Sequence, residues 1–241
     1  MTRISMLALA AILGIGTACV LNADEKAAPQ EEKIPYSNGL NIIVRMQGPY
    51  DADVPLQVVC YFKHKPEGDT TKGAPVELDM RLGGAITALR DRGEFVGEEL
   101  ETLLLDTKGK ISARQLLLIG LGDEASLSLE GLERVGRVAY REAAKAGATA
   151  AAFAPLIRDQ GNDKLPAGDV ETSVIRGLLL ARDTDVRLQN EGLSRKYSLA
   201  TWIVEAGPAY YKDTIIGARK GIESADSAIK RRRTESYSTA K

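Results

Sequence analysis

Aromatic side chains are scarce in this chain, at 5% of 241 residues, and histidine occurs once. A surface that stacks on nucleic-acid bases needs more aromatics than this. Charge of one sign is missing as well: 32 Lys+Arg stand against 33 Asp+Glu. No long-range field is present to draw in nucleic acid or a highly charged substrate. Cysteine is limited to Cys19 and Cys60. If Cys19 is removed or lipidated, Cys60 stands alone and no internal disulfide can form. There is no paired-cysteine metal motif and no G-x-S-x-G nucleophile elbow. Those two absences remove the commonest sequence signals for metal and serine chemistry.

The first stretch with a definite character is residues 1–23. Arg3 precedes an apolar run from Ile4 to Ile15, and small residues follow. That order predicts an export signal. Gly16-Thr17-Ala18-Cys19 resembles a lipoprotein processing box, with Gly16 where a leucine is usual, so Cys19 is a candidate lipidation site. Cleavage after Ala18 or after Ala23 fits equally well. Residues 24–36, opening DEKAAPQEEK, are polar and without period, and read as a tether. The folded domain is expected over 37–233, with a frayed tail over 234–241.

Within the domain, Leu40–Gln47 and Leu56–Phe62 read as strands separated by a turn with Gly48-Pro49 and Pro55. Val76, Leu78, Leu82, Ile86 and Leu89 recur at helical spacing. Gly83 and Gly84 inside that helix suggest the close approach of another backbone or a ligand, and Gly93 supplies its stop. Leu103–Leu105 and Gln115–Leu121 read as two interior strands, buried on both faces. Leu129–Ala146 is the most regular helix, closed by Gly147. A strand near Thr149–Phe153, a helix over Val170–Gln189, a strand at Leu199–Glu205 and a helix over Tyr210–Arg233 complete the chain. The order implies one α/β domain of three layers: a mixed, mostly parallel sheet with helices on both faces.

Several motifs fail on inspection. The Gly68–Gly73 spacing opens like a phosphate loop, but Ala74-Pro75 stand where Lys and Ser/Thr are required. Gly120-Leu-Gly122-Asp-Glu-Ala125 matches a dinucleotide fingerprint, yet Asp123 and Glu124 would face the pyrophosphate. A tight strand-to-helix turn is the better reading. Cys60 and His64 would lie about 13 Å apart along one strand, too far for a catalytic pair. Arg158–Asp169 has carboxylates but lacks the ladder of a calcium loop.

LGGAI at 82–86, GEF.G at 93–97, ETLLL at 101–105 and the strand ending GLG at 120–122 together resemble the amino-terminal domain of the leucyl aminopeptidase family. The likeness runs on through AAFAPLIRD to the helix around Ile175–Arg182, roughly residues 40–220. It implies a macro-domain-like α/β unit and structural roles for Asp79, Gly83, Gly84, Glu94, Phe95, Gly97, Thr102, Gly120 and Gly122. In that family the two metals, an activating Lys and a signature near NTDAEGR belong to a separate carboxy-terminal domain. No such signature occurs in this sequence. With the export signal, the resemblance leads to the expectation of a stand-alone exported domain without catalytic or metal-binding residues and without a cofactor. Glu98–Glu99 depart from the family pattern, where a basic residue is expected nearby.

Three functions follow as expectations. The first is a non-catalytic binding or scaffold module that self-associates or docks on a protein partner, using Trp202, Tyr210 and Tyr211 in a tail rich in apolar residues. The second is a ligand-binding module with a crevice at the carboxyl ends of its strands. The third is an enzyme or an accessory subunit in aminopeptidase proteolysis. Membrane contact is expected only through a lipid on Cys19.

Overall fold

The computed structural model describes residues 29–36, 39–69, 71–232 and 235. The leader over residues 1–23, Cys19 and the tail beyond residue 235 lie outside the described residues. Seven strands form one sheet in the order β1-β2-β7-β6-β3-β5-β4. They are β1 (Glu31–Ile34), β2 (Asn41–Arg45), β3 (Leu56–Tyr61), β4 (Thr102–Asp106), β5 (Gln115–Gly120), β6 (Ala150–Ala154) and β7 (Thr201–Glu205). The five central strands run parallel, and the outer pairs β1–β2 and β4–β5 are antiparallel.

Every residue of β3 is buried, because helices cover both faces of the sheet. Val58 and Cys60 face one core with Leu117, Ile119, Phe153 and Trp202, under α3 (Leu129–Lys145), α4 (Ala167–Asn190) and α5 (Tyr211–Lys230). Val59 and Tyr61 face the other core with Leu116, Leu118 and Ala152, under α1 (Ala74–Arg81) and α2 (Ala85–Asp91). This alternation is the period of two that a strand imposes. Among the described residues no helix is long and apolar enough to cross a membrane.

Four sequence expectations are corrected. Glu31–Ile34 falls within the expected tether, yet it pairs with β2 as an edge strand. The helix expected across residues 76–91 is two helices, α1 and α2. Gly83 and Gly84, at φ +74° and +78°, separate them in the left-handed region that only glycine adopts freely. A Cβ on Gly84 would meet nothing within 4 Å, so no other part of the chain packs against it. What the turn requires is conformation: Asp79 Oδ1 accepts from the Ile86 N–H at 2.8 Å, and Thr87 Oγ1 donates to Asp79 Oδ2 at 2.6 Å. Asp79 thus caps α2 from the end of α1. Finally, Leu103–Leu105 are not buried on both faces. They belong to β4, an edge strand, in which Leu104 is 44% exposed and Thr102 is also exposed.

Close backbone approach does occur, at other glycines. A Cβ on Gly136 of α3 would lie 2.1 Å from the Val174 carbonyl oxygen of α4, and one on Gly177 of α4 would lie 1.9 Å from that of Glu133. A Cβ on Gly217 of α5 would sit 2.2 Å from the Gly168 carbonyl oxygen. Glycine therefore lets α3, α4 and α5 cross with their backbones in contact.

Candidate functional site

The loops after β2, β6 and β7 and the first turns of α4 and α5 meet at the carboxyl ends of the parallel strands. They enclose a cavity of about 450 Å³. This is where open α/β sheets place their ligands. Most of its lining is apolar: Met46 and Pro49 after β2, Ala154 and Ile157 at the end of β6, Val170 on α4, and Ala206 and Pro208 after β7.

Two carboxylates stand in this apolar setting. Glu171 lies on the buried stripe of α4 with Val174, Ile175 and Leu178, and is 2% exposed. Its Oε1 has no hydrogen-bond partner. Burial alone raises its pKa to about 8. Glu205 ends β7 and is 6% exposed. Its two oxygens accept from Gln47 Nε2 at 2.9 Å and Gln57 Nε2 at 2.6 Å. Burial outweighs those bonds and lifts its pKa to about 7. Both groups are poised to change charge near neutrality, which side chains in functional clefts often do.

The loop after β6 is held against its preference. Leu156, on the cavity wall, has φ +52°, a conformation costly for a branched side chain. Gln160 fixes it, donating from Nε2 to the carbonyls of Leu156 and Cys60 at 3.0 Å each and accepting from the Phe62 N–H at 2.9 Å. Arg158 lies over the Tyr210 ring at 4.8 Å and bonds the Leu165 carbonyl. Asp159 is half-buried, and burial raises its pKa.

The residues singled out from the sequence lie elsewhere. Gly97 and Gly120 form a tight crossing, since a Cβ on Gly97 would lie 2.5 Å from the Phe62 carbonyl oxygen and one on Gly120 1.9 Å from that of Glu98. Glu101 Oε2 accepts from the N–H groups of Val96, Gly97 and Glu98 at 3.1, 2.7 and 3.0 Å, which fixes the loop. Gly122 packs beside Glu99, and Glu94 makes the helix-closing N–H bond to the Leu89 carbonyl at 2.9 Å. Phe95 is buried edge-on to Tyr61. The basic partners absent from the local motif are supplied by Lys63, 2.7 Å from Glu98, and Arg134, paired with Glu99. The Gly120–Ala125 segment does not open a helix directly: a 3-10 turn at Glu124–Ser126 intervenes, and Ser128 caps α3.

Trp202 and Tyr211 present almost no surface to a partner. Trp202 is wholly buried and stacks on Phe153 at 6.0 Å, and Tyr211 is 6% exposed in the same core. Only Tyr210, at 41%, reaches the surface. Cys60 is buried with its thiol pKa pushed up, and His64 is engaged by Asp69 at 3.1 Å. Among the described residues no three His, Cys, Asp or Glu side chains are placed to hold a metal ion.

Sequence reasoning missed Glu171, Glu205, Gln57 and Gln160. A signal existed for the first two, because each interrupts an apolar pattern: Glu171 on a helical stripe and Glu205 at the end of TWIVE. The glutamines carry no such signal, since the bonds that tie Gln57 to Glu205 and Gln160 to Phe62 span 148 and 98 residues of sequence.

The sheet order, the helices on both faces and the crevice at the strand ends define a macrodomain-like α/β module. A mutant form of the Oceanobacillus iheyensis macrodomain superposes with a TM-score of 0.54 at 9% identity, covering 87% of this chain and 98% of that one. The same macrodomain with ADP gives 0.53 at 10% identity, covering 86% and 100%. A mutant of tomato leucine aminopeptidase gives 0.55 at 17% identity, covering 79% of this chain and 37% of that one. The chain belongs to the cytosol aminopeptidase family, whose N-terminal domain matches residues 58–190. A probable cytosol aminopeptidase of Thermosynechococcus vestitus is 33% identical over 135 residues, 54% of this chain and 25% of the relative. One from Alkaliphilus metalliredigens is 38% identical over 79 residues, 33% of this chain and 16% of the relative. The chain thus spans about a quarter or less of the length of these two relatives.

Proposed function

We propose that this domain is an exported, non-catalytic binding module that holds a small ligand in the crevice at the carboxyl ends of β6 and β7. The observation that carries the reading is the Glu171 carboxyl, one oxygen of which is buried without a partner, on a residue that lines a cavity of about 450 Å³. A buried polar atom without a partner is unfavourable by about 1–3 kcal/mol, and a ligand that draws this carboxyl into a hydrogen bond removes that penalty. Catalysis has less support, because the metal chemistry of cytosol aminopeptidases is not represented among the residues lining the crevice. Export rests on the signal pattern of residues 1–23, and attachment through Cys19 is part of the same proposal.

Ligand-observed NMR with a fragment library tests the crevice. Gly207 lines it with open space where a Cβ would go, so Gly207→Trp should block the cavity without disturbing the core. The expected result is a set of fragments whose binding disappears in that variant. No binders, or binders indifferent to Gly207→Trp, would refute the reading. With added zinc or manganese, the chain is expected not to release leucine from a chromogenic amide.

Docking on a second copy or a protein partner is the other proposal. It is favoured by two exposed large side chains, Ile216 on α5 at 52% and Tyr210 just before it at 41%. Sedimentation velocity at several concentrations tests it, a strict monomer at tens of micromolar counting against self-association.

A further inference from the structure

We propose that the crevice takes a primary amine carried on an apolar body, with the ammonium group seated against the carboxyl of Glu171. This rests on the crevice being a ligand site and names the class of ligand. The buried group left without a partner is a carboxyl oxygen, which in the ionised form only accepts, so a ligand that presents a hydrogen-bond donor satisfies that form. Because that oxygen belongs to a carboxyl group, a cationic donor forms the stronger, charge-assisted bond. A metal ion is disfavoured, as no third ligating side chain joins the carboxylates among the described residues. The walls around Glu171, including Val170, Ala206 and Pro208, are apolar and suit a hydrocarbon body. A diphosphate would instead meet a lining with three carboxyl groups, Asp159, Glu171 and Glu205.

Burial raises the pKa of Glu171 to about 8, which favours its protonated form at neutral pH. Seating an ammonium group ionises it, and one proton passes to solvent. The other charged or titratable side chains on the cavity wall are Glu205 from β7, Arg158 and Asp159 after β6, and Tyr210 before α5. Tyr211 and Asp213 lie in the first turn of α5, and Asp169 in that of α4. Of these, Glu205 titrates in the same range, so its neutral variant is needed alongside.

The experiment is calorimetric titration of the full chain with phenethylamine, with phenethyl alcohol and ADP as the uncharged and anionic comparisons. Amine binding should exceed alcohol binding by about tenfold or more, the equivalent of one charge-assisted bond. It should tighten by about tenfold from pH 6.5 to 7.5, with one proton released. Glu171→Gln should remove both the preference and the pH slope. Glu205→Gln should keep them. Melting of Glu171→Gln at or above the temperature of the unmodified chain shows that it is folded. If the alcohol or ADP binds in a Gly207→Trp-sensitive manner and the amine does not, the amine assignment falls and the crevice reading stands. Binding of magnesium or calcium alone with no amine binding overturns the assignment too. If no probe binds and the fragment screen is also empty, both readings fall.

Discussion

Gly177 of α4 lies so close to the Glu133 carbonyl oxygen of α3 that a Cβ would sit 1.9 Å from it. No side-chain movement can relieve that contact, since the obstacle is backbone. Gly177→Ala is therefore expected to destabilise the domain by about 1–3 kcal/mol despite alanine's better helix propensity. Gly131 is the control: a Cβ there would be in ordinary contact with side-chain atoms alone, Ser128 Oγ at 3.4 Å, Arg134 Nη2 at 3.8 Å and Glu99 Oε1 at 3.9 Å. Gly131→Ala should be neutral or stabilising by up to about 1 kcal/mol. Urea denaturation of the two variants checks the contrast.

At Gly84 the obstacle is the left-handed backbone and not crowding. Gly84→Ala and Gly84→Leu should lose similar stability, about 1–2 kcal/mol each. A leucine variant much worse than the alanine variant would mean that the site is crowded after all.

Asp79→Ala removes the cap of α2 and should lower stability by about 0.5–2 kcal/mol, whereas Asp79→Asn retains an acceptor and should lose less. Chemical denaturation measures both.

The pH dependence of stability has a definite sign at Glu171. Its folded pKa, about 8, lies above the ordinary 4.5. The folded chain therefore holds a proton that the unfolded chain releases, and the contribution is complete below about pH 4.5 and lost as pH rises through 8. Glu205 acts in the same direction up to about pH 7. The melting temperature of the unmodified chain relative to Glu171→Gln should fall by several degrees from pH 5 to 9, at about 2–4 °C per kcal/mol. A constant difference across that range would show that Glu171 is already ionised at pH 5.

Export predicts a mature chain beginning between Cys19 and Asp24. Cell fractionation and intact mass decide this, a cytoplasmic protein that retains Met1 being the contrary outcome.

The parallel centre of the fold was legible because β3, β5, β6 and β7 are apolar runs and α3 has a clean helical period. β1 was not, since EEKI carries no alternation and its pairing depends on a strand ten residues on. The α1–α2 break was hidden by an apolar stripe that continues across two glycines. ETLLL looked interior because leucines run together, although the sheet ends there and Leu104 faces water. Of the crevice, the sequence offered only its place at the strand ends. Its chemistry depends on Glu171 and Glu205, whose burial is created by packing against distant loops. The aromatic tail misled for the opposite reason: Trp202 looked available to a partner, while Phe153 and the helices had already enclosed it.

The glycine crossing of α4 and α5 has a kinetic consequence. Gly168 and Gly217 lock together the two helix starts that carry Glu171 and Thr214 into the cavity. Walls fixed in this way have little conformational freedom left to surrender when a ligand arrives. Association should then proceed in a single phase whose rate rises linearly with ligand concentration, and differences in affinity among ligands should lie in how long each one stays.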